Sequence, residues 1–216
     1  MIIKGSVLFK LLLFTSVNVY ASSKIQNFEG SINLKKETAY DTSYLTIKVK
    51  GELVRIDEIN KNRNLVNSYI VDLEKETVIA LSPQKHLYRE IKSTTNYAVV
   101  QKDTQIISTG NCMEYGGYKC CQVRVKCVNR DSEVAYWITK ENFNFFNLLV
   151  RVLRKTNVNI NVFNYFPDIE GGFPVLTVER TLMRKERLKI AVAAIEPMNL
   201  SDNNFKIPLD YQKLEH

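Results

Sequence analysis

Four cysteines, Cys112, Cys120, Cys121 and Cys127, fall in one short stretch, and the chain of 216 residues has no others. Thiols grouped in this way can bridge, hold a soft metal ion, or exchange electrons. The spacing, with seven residues before the Cys-Cys pair and five after it, matches no zinc ribbon or finger, and no histidine is near in sequence. No C-x-x-C is present, so dithiol exchange is not expected either. Bridging remains. If Gly116-Gly117 forms a two-residue hairpin turn, Cys112 faces Cys121 directly, whereas Cys120 and Cys127 lie along one strand about 23 Å apart at roughly 3.3 Å per residue. One bridge is expected, from Cys112 to Cys121 or to its neighbour Cys120, with the other two cysteines reduced or paired between chains.

The remaining reactive side chains form no constellation. Only His86 and His216 could carry imidazole chemistry, and His86 sits in the turn Pro83-Gln84-Lys85-His86, where a solvated residue is the simpler reading. The carboxylate pairs Asp57/Glu58 and Asp168/Glu170 lie in strand and turn contexts that suit solvated charge. No nucleophile elbow, P-loop, H-E-x-x-H helix or dinucleotide fingerprint is present. The expectation is a protein that is not an enzyme and needs no cofactor; a hydrolase using unidentified carboxylates is the weakest alternative.

The element around which the chain is organised is the stretch Thr139 to Lys155. Its pattern predicts a helix capped by Thr139, with Glu141 in the positive first turn and Arg151, Arg154 and Lys155 near the negative C-terminal carbonyls. On a helical wheel the apolar residues from Phe143 to Leu153 cover well over half the circumference, whereas a surface helix needs a stripe only a little over about 100° wide. Burial in a core explains such an arc. So does a helix with one side on a sheet and the other facing a second helix, a partner or a ligand. In the latter case Phe143, Phe146, Leu149, Val150 and Leu153 are the candidate lining residues.

The rest reads as strands. Phe28–Lys36, Tyr44–Lys50, Glu52–Ile59, Asn67–Glu74, Thr77–Ser82 and Leu87–Ile91 carry apolar residues at every second place, as Ile32, Leu34, Leu45, Ile47 and Val49 show. Such alternation gives an antiparallel sheet with one buried and one wet face. A less regular piece from Lys92 to Gln101 has room for a short helix. Two strands then meet at Gly116-Gly117, Glu133–Thr139 follows, and Val175–Arg184 and Leu188–Ile195 form a final hairpin after the helical insertion at 140–166. About eleven strands are expected in a mainly β, α+β architecture.

The first 21 residues, with Lys4, Lys10, an apolar run from Val7 to Phe14 and a small-residue end at Ala21, read as a secretory signal peptide whose core is too short to span a bilayer. Its removal takes away two lysines and lowers the formal charge from +7 to +5. That leaves a single domain at 22–213, outside the cytoplasm, with Leu214 to His216 as a tag remnant. The remaining basic charge is scattered, which disfavours nucleic acid and leaves anionic headgroups or an acidic partner open.

The segments FEGSINLKK, GELVRIDE, VIALSPQKHLYREI, Gly117-Tyr118-Lys119-Cys120, Ala135-Tyr136-Trp137-Ile138, GGFPV and Phe205-Lys206-Ile207-Pro208, in this order, resemble the LolA-like superfamily of periplasmic lipoprotein carriers, their LolB-like acceptors and related sensors. The resemblance is nearer to the superfamily's uncharacterised bacterial families than to the carrier. It implies an incomplete, strongly curved antiparallel β-barrel whose apolar concave face is closed by a helical lid and receives lipid or lipoprotein acyl chains. It also implies a strand arginine that fastens the lid, for which Arg55 is the candidate, although a cross-strand ion pair explains Arg55 as well. The expected function is a periplasmic binding protein for an amphipath, with peripheral membrane contact. The alternative is an envelope interaction or sensor protein whose half-barrel is filled by its own side chains.

Overall fold

Alternating apolar residues need a sheet with one dry face, and the chain supplies one. The computed structural model describes residues 27–92, 104–156, 158 and 161–214. Its strands are β1 (Gly30–Thr38), β2 (Thr42–Lys50), β3 (Leu53–Ile59), β4 (Leu65–Asp72), β5 (Thr77–Ser82), β6 (Leu87–Ile91), β7 (Thr104–Tyr115), β8 (Tyr118–Cys127), β9 (Ser132–Lys140), β10 (Gly172–Arg180), β11 (Glu186–Pro197) and β12 (Gln212–Lys213). The helix α1 (Asn144–Lys155) lies between β9 and β10. The strands form one open, curved sheet in the order β12-β6-β5-β4-β3-β2-β1-β11-β10-β9-β8-β7, antiparallel except for the β12–β6 pair. The twelfth strand, of two residues, is one more than the periodicity predicts because so short a segment carries no period of its own.

Register places the apolar set on one face. Leu34 pairs with Leu45, Ile47 with Ile56 and Val49 with Val54, and all six are buried. The opposite face carries Thr46, Lys48, Arg55 and Asp57. The Gly116-Gly117 turn joins Tyr115 to Tyr118 with φ of 57° and 82°, a backbone that glycine adopts without steric cost and that matches strand twist. At Gly30 any Cβ would run into the carbonyl oxygen of Glu196 on the neighbouring strand. Glycine there allows β1 to lie against β11.

The helix begins later than its sequence suggests. Thr139 does not cap it, and Glu141 precedes it, because β9 runs on to Lys140 through pairs Thr139–Phe173 and Lys140–Gly172. Cross-strand pairing outweighs the local capping preference. Asn161–Tyr165 forms a 3-10 helix that continues the insertion. The signal-peptide reading at 1–21, the short helix within 92–101 and His216 fall wholly or largely outside the described residues.

Candidate binding site

The concave face is covered by α1 and the segment after it. Phe143 N–H donates to the Gly171 carbonyl, and the helix then starts with Phe146 N–H donating to Phe143 O at 2.9 Å. Its far end closes on Thr156, whose hydroxyl donates to Val152 O at 2.9 Å and Leu153 O at 3.2 Å. Between these ends Phe143, Phe146, Leu149, Val150 and Leu153 are all buried, none more than 2% exposed. The structure brings these five together with Phe163, Phe166, Phe173 and Tyr136 in one aromatic plug. The Phe146 ring lies 4.8 Å from Phe173, 4.9 Å from Phe166 and 5.4 Å from Phe163, each nearly edge to face. That geometry sets the positive ring edge on the negative face and adds to the burial of area. Burial pushes the Tyr136 hydroxyl far above its usual range, so it stays neutral.

Polar fasteners hold the cover. Arg154 donates through Nε to the Asn164 carbonyl at 2.7 Å and through Nη2 to the Phe166 carbonyl, tying the 3-10 segment to α1. At the other side Glu76, in the β4–β5 turn, takes Lys155 at 2.6 Å and Arg151 at 3.4 Å. The Lys155 hydrogen bond, against a smaller cost of burial, holds the Glu76 carboxyl below the ordinary glutamate range. The sign follows from linkage. A carboxyl whose folded pKa lies below its unfolded value contributes its full stabilisation above the unfolded value, and loses it as pH falls through the folded one. The protection factor of amides in the C-terminal turn of α1, that is, exchange corrected for its intrinsic pH dependence, should therefore be flat from neutral pH down to about pH 5 and fall below about pH 4. Glu76→Gln should show the lower protection at neutral pH, and the difference should vanish at low pH, where Glu76 is itself neutral.

Outside the plug lies an open cleft of about 560 Å³ between α1 and residues 166–170. Its floor is apolar, with Leu148, Val150, Phe166 and Pro167. Asn147, Arg151, Asp168 and Glu170 make a mixed polar rim. Asn147 Oδ1 is buried and has no hydrogen-bond partner among the described residues, an acceptor awaiting a donor. Among the five helix residues predicted to line a ligand space, Val150 alone lines this cleft; the other four face the plug.

Arg55 is not brought to α1. Its Nε donates to Asp57 Oδ1 at 2.8 Å within the same strand, and its Nη1 donates to the Asn204 carbonyl at 3.1 Å. It lies on the face opposite the plug and ties down the C-terminal segment, where Lys50 also pairs with Asp202 at 2.6 Å. Sequence reasoning missed Glu76, and it set Arg151, Arg154 and Lys155 on the polar strip and at the negative end of the helix without giving them a partner. Their i, i+3, i+4 spacing on one polar strip was the available signal.

The bridge joins Cys112 to Cys121, opposite each other in the β7–β8 register with Cα atoms 4.1 Å apart. Cys120 is not in it: Cys120 and Cys127 are free, buried and packed in the core. Burial raises both thiols above their usual pKa, which leaves them unreactive. Among the described residues no three His, Cys, Asp or Glu converge on a point where a metal could sit.

Comparison with curated proteins gives no match. Among solved structures the chain is similar to PNGF-II, with TM-score 0.50 and 9% identity over 86% of this chain, and it spans 30% of the PNGF-II chain. An uncharacterized conserved protein from Thermus thermophilus aligns with TM-score 0.48 and 8% identity, covering 86% of this chain and 90% of that one. A domain from Vibrio parahaemolyticus whose description concerns outer membrane lipoprotein sorting aligns with TM-score 0.33 and 10% identity, covering 82% and 87%. The first likeness is one of fold, and the other two, below 0.5, bear on neither ligand nor function. The family model that matches, Domain of unknown function (DUF4412), covers residues 28–211, and the chain belongs to that family.

Proposed function

We propose that this protein is a non-enzymatic periplasmic binding protein for an amphipath, a lipid or a lipoprotein acyl chain, with α1 and the 3-10 segment as its lid. The observation that carries the reading is the plug itself: the apolar face of an open sheet is filled by rings borne on one short insertion, and the Lys155 and Arg151 pairs to Glu76 help hold that insertion to the wall. Magnitudes permit exchange. Exposing four phenylalanines costs about 6–12 kcal/mol, while an acyl chain of about fourteen methylenes contributes roughly 11 kcal/mol on burial. The two are close enough for the lid to be shut when empty and displaced when a tail is offered. The cleft beside Leu148 and Val150 is the place where a tail enters, and Asn147 Oδ1 is an acceptor for a polar headgroup.

The test is uptake of a fluorescent fatty acid analogue, with native mass spectrometry of the purified protein for co-extracted amphipath. Leu149→Asp, which sets a carboxylate in the plug, is expected to abolish uptake while the strand signal in circular dichroism persists. Glu76→Gln, at a surface turn, is expected to accelerate it several-fold. A wild type that takes up no probe and carries no amphipath ends this reading. A second reading, an envelope interaction protein, is favoured by β7, a twelve-residue edge strand with no strand on its outer side among the described residues. It predicts a captured protein partner and an empty lipid extract.

A further inference from the structure

On the opposite face of the sheet, away from the plug, β7, β8, β9 and the β10–β11 turn enclose a second cleft of about 390 Å³. Arg124, Arg180 and Arg184 line it with a single carboxylate, Glu133, and with the neutral side chains of Asn111 and Gln122. The register explains the grouping. Arg124 and Gln122 alternate along β8 with Val123 and Val125, which turn toward the core. Glu133 pairs across with Arg180, so both share this face.

The guanidinium groups are incompletely used. Arg124 reaches Glu133 through Nη1 at 3.3 Å, but its Nε is buried and has no hydrogen-bond partner among the described residues. Among the described residues Arg180 makes only a long, half-exposed pair with Glu186 at 3.5 Å. The exposed Arg184 side chain has no carboxylate partner among the described residues. A buried N–H left without an acceptor is costly, and three forked cations around one cleft match an anion with several oxygens. We infer that this cleft is an anion site for a phosphate group, held by Arg124 Nε and Nη groups from one side and by Arg180 and Arg184 from the other. Asn111 and Gln122 add neutral donors, and Glu133 orients Arg124 while competing with the anion for it. The inference does not rest on the lid reading, because no residue of α1 contributes.

The phosphate has two sources, a free ion or the headgroup of an anionic lipid. Titration of the full protein with inorganic phosphate at low ionic strength, followed by calorimetry, is expected to show one saturable site. Arg184→Gln, at an exposed turn that does not support the fold, should weaken it about tenfold, the loss of one charged hydrogen bond. Glu133→Gln should strengthen it several-fold by releasing Arg124 and removing a negative charge. Unspecific attraction to a basic protein would give the same signs but no saturation, and one unit of net charge would change it far less than tenfold, so saturation and the size of the Arg184 effect identify the site. A parallel arm measures binding to vesicles of phosphatidylglycerol with phosphatidylcholine against phosphatidylcholine alone. Arg184-dependent binding to the anionic vesicles assigns the headgroup, and phosphate binding without vesicle binding assigns the free ion. Unsaturable phosphate binding, or equal affinities in wild type, Arg184→Gln and Glu133→Gln, overturns the site.

Discussion

Phe146→Ala should destabilise the protein by about 3–5 kcal/mol, the largest effect expected of any single truncation in the lid. The ring is fully buried and meets three others, so its loss removes apolar transfer energy, three edge-to-face contacts, and the support that keeps Phe163 and Phe166 in place. Leu148→Ala, on the half-buried cleft side of the same helix, is the control and should cost under about 1 kcal/mol. Urea denaturation followed by circular dichroism reads both. The void left by Phe146 is lined by aromatic and aliphatic carbon, so it should stay dry and admit a small apolar guest. Saturating benzene should therefore restore part of the lost stability in Phe146→Ala and change wild type little. Equal stability of Phe146→Ala and wild type would mean that the plug is loosely packed.

Asp57→Ala should cost about 3–5 kcal/mol on the other face of the sheet. Asp57 is buried, accepts from Arg55 Nε at 2.8 Å and from the Ser68 hydroxyl at 2.6 Å, and pairs with Lys48 at 3.5 Å. Alanine leaves the largely buried Arg55 guanidinium without its counter-charge, and that uncompensated cation is the main cost. Asp57→Asn keeps an acceptor for both donors and should lose less. Because Arg55 also holds the Asn204 carbonyl, hydrogen exchange in residues 198–205 should quicken in Asp57→Ala before the sheet itself melts. A uniform loss of protection, with no early change there, would show that Arg55 does not fasten the C-terminal segment.

Most of the wall could be read from the residues. Ile32, Leu34, Leu45, Ile47 and Val49 report their own face because strand periodicity is local, and β5 and β6 have the predicted boundaries. Gly116-Gly117 fixed the hairpin register and with it the facing of Cys112 and Cys121. What failed is what depends on distant partners. Thr139 looks like a helix cap until Phe173, thirty-four residues on, pairs with it. Arg55 reads more simply as an ion pair than as a lid clamp, and the structure pairs it with Asp57, but nothing near it in sequence announces Asn204. Glu76 looks like one more turn residue, and its link to Lys155 joins two elements that nothing in their own sequences connects. The clefts gather residues from several strands or loops, and a pattern of periods carries no record of which will meet.

The seam between β1 and β11 sets the order of assembly. Gly30 pairs with Pro197, so the first strand borders almost the last, and six N-terminal strands keep a bare flank until the final hairpin is made. Contacts so distant along the chain form slowly, since a long loop must close before any bond repays it. During that interval β1 is an unpaired edge able to join a neighbouring chain, and escape from aggregation depends on how soon the last hairpin reaches it.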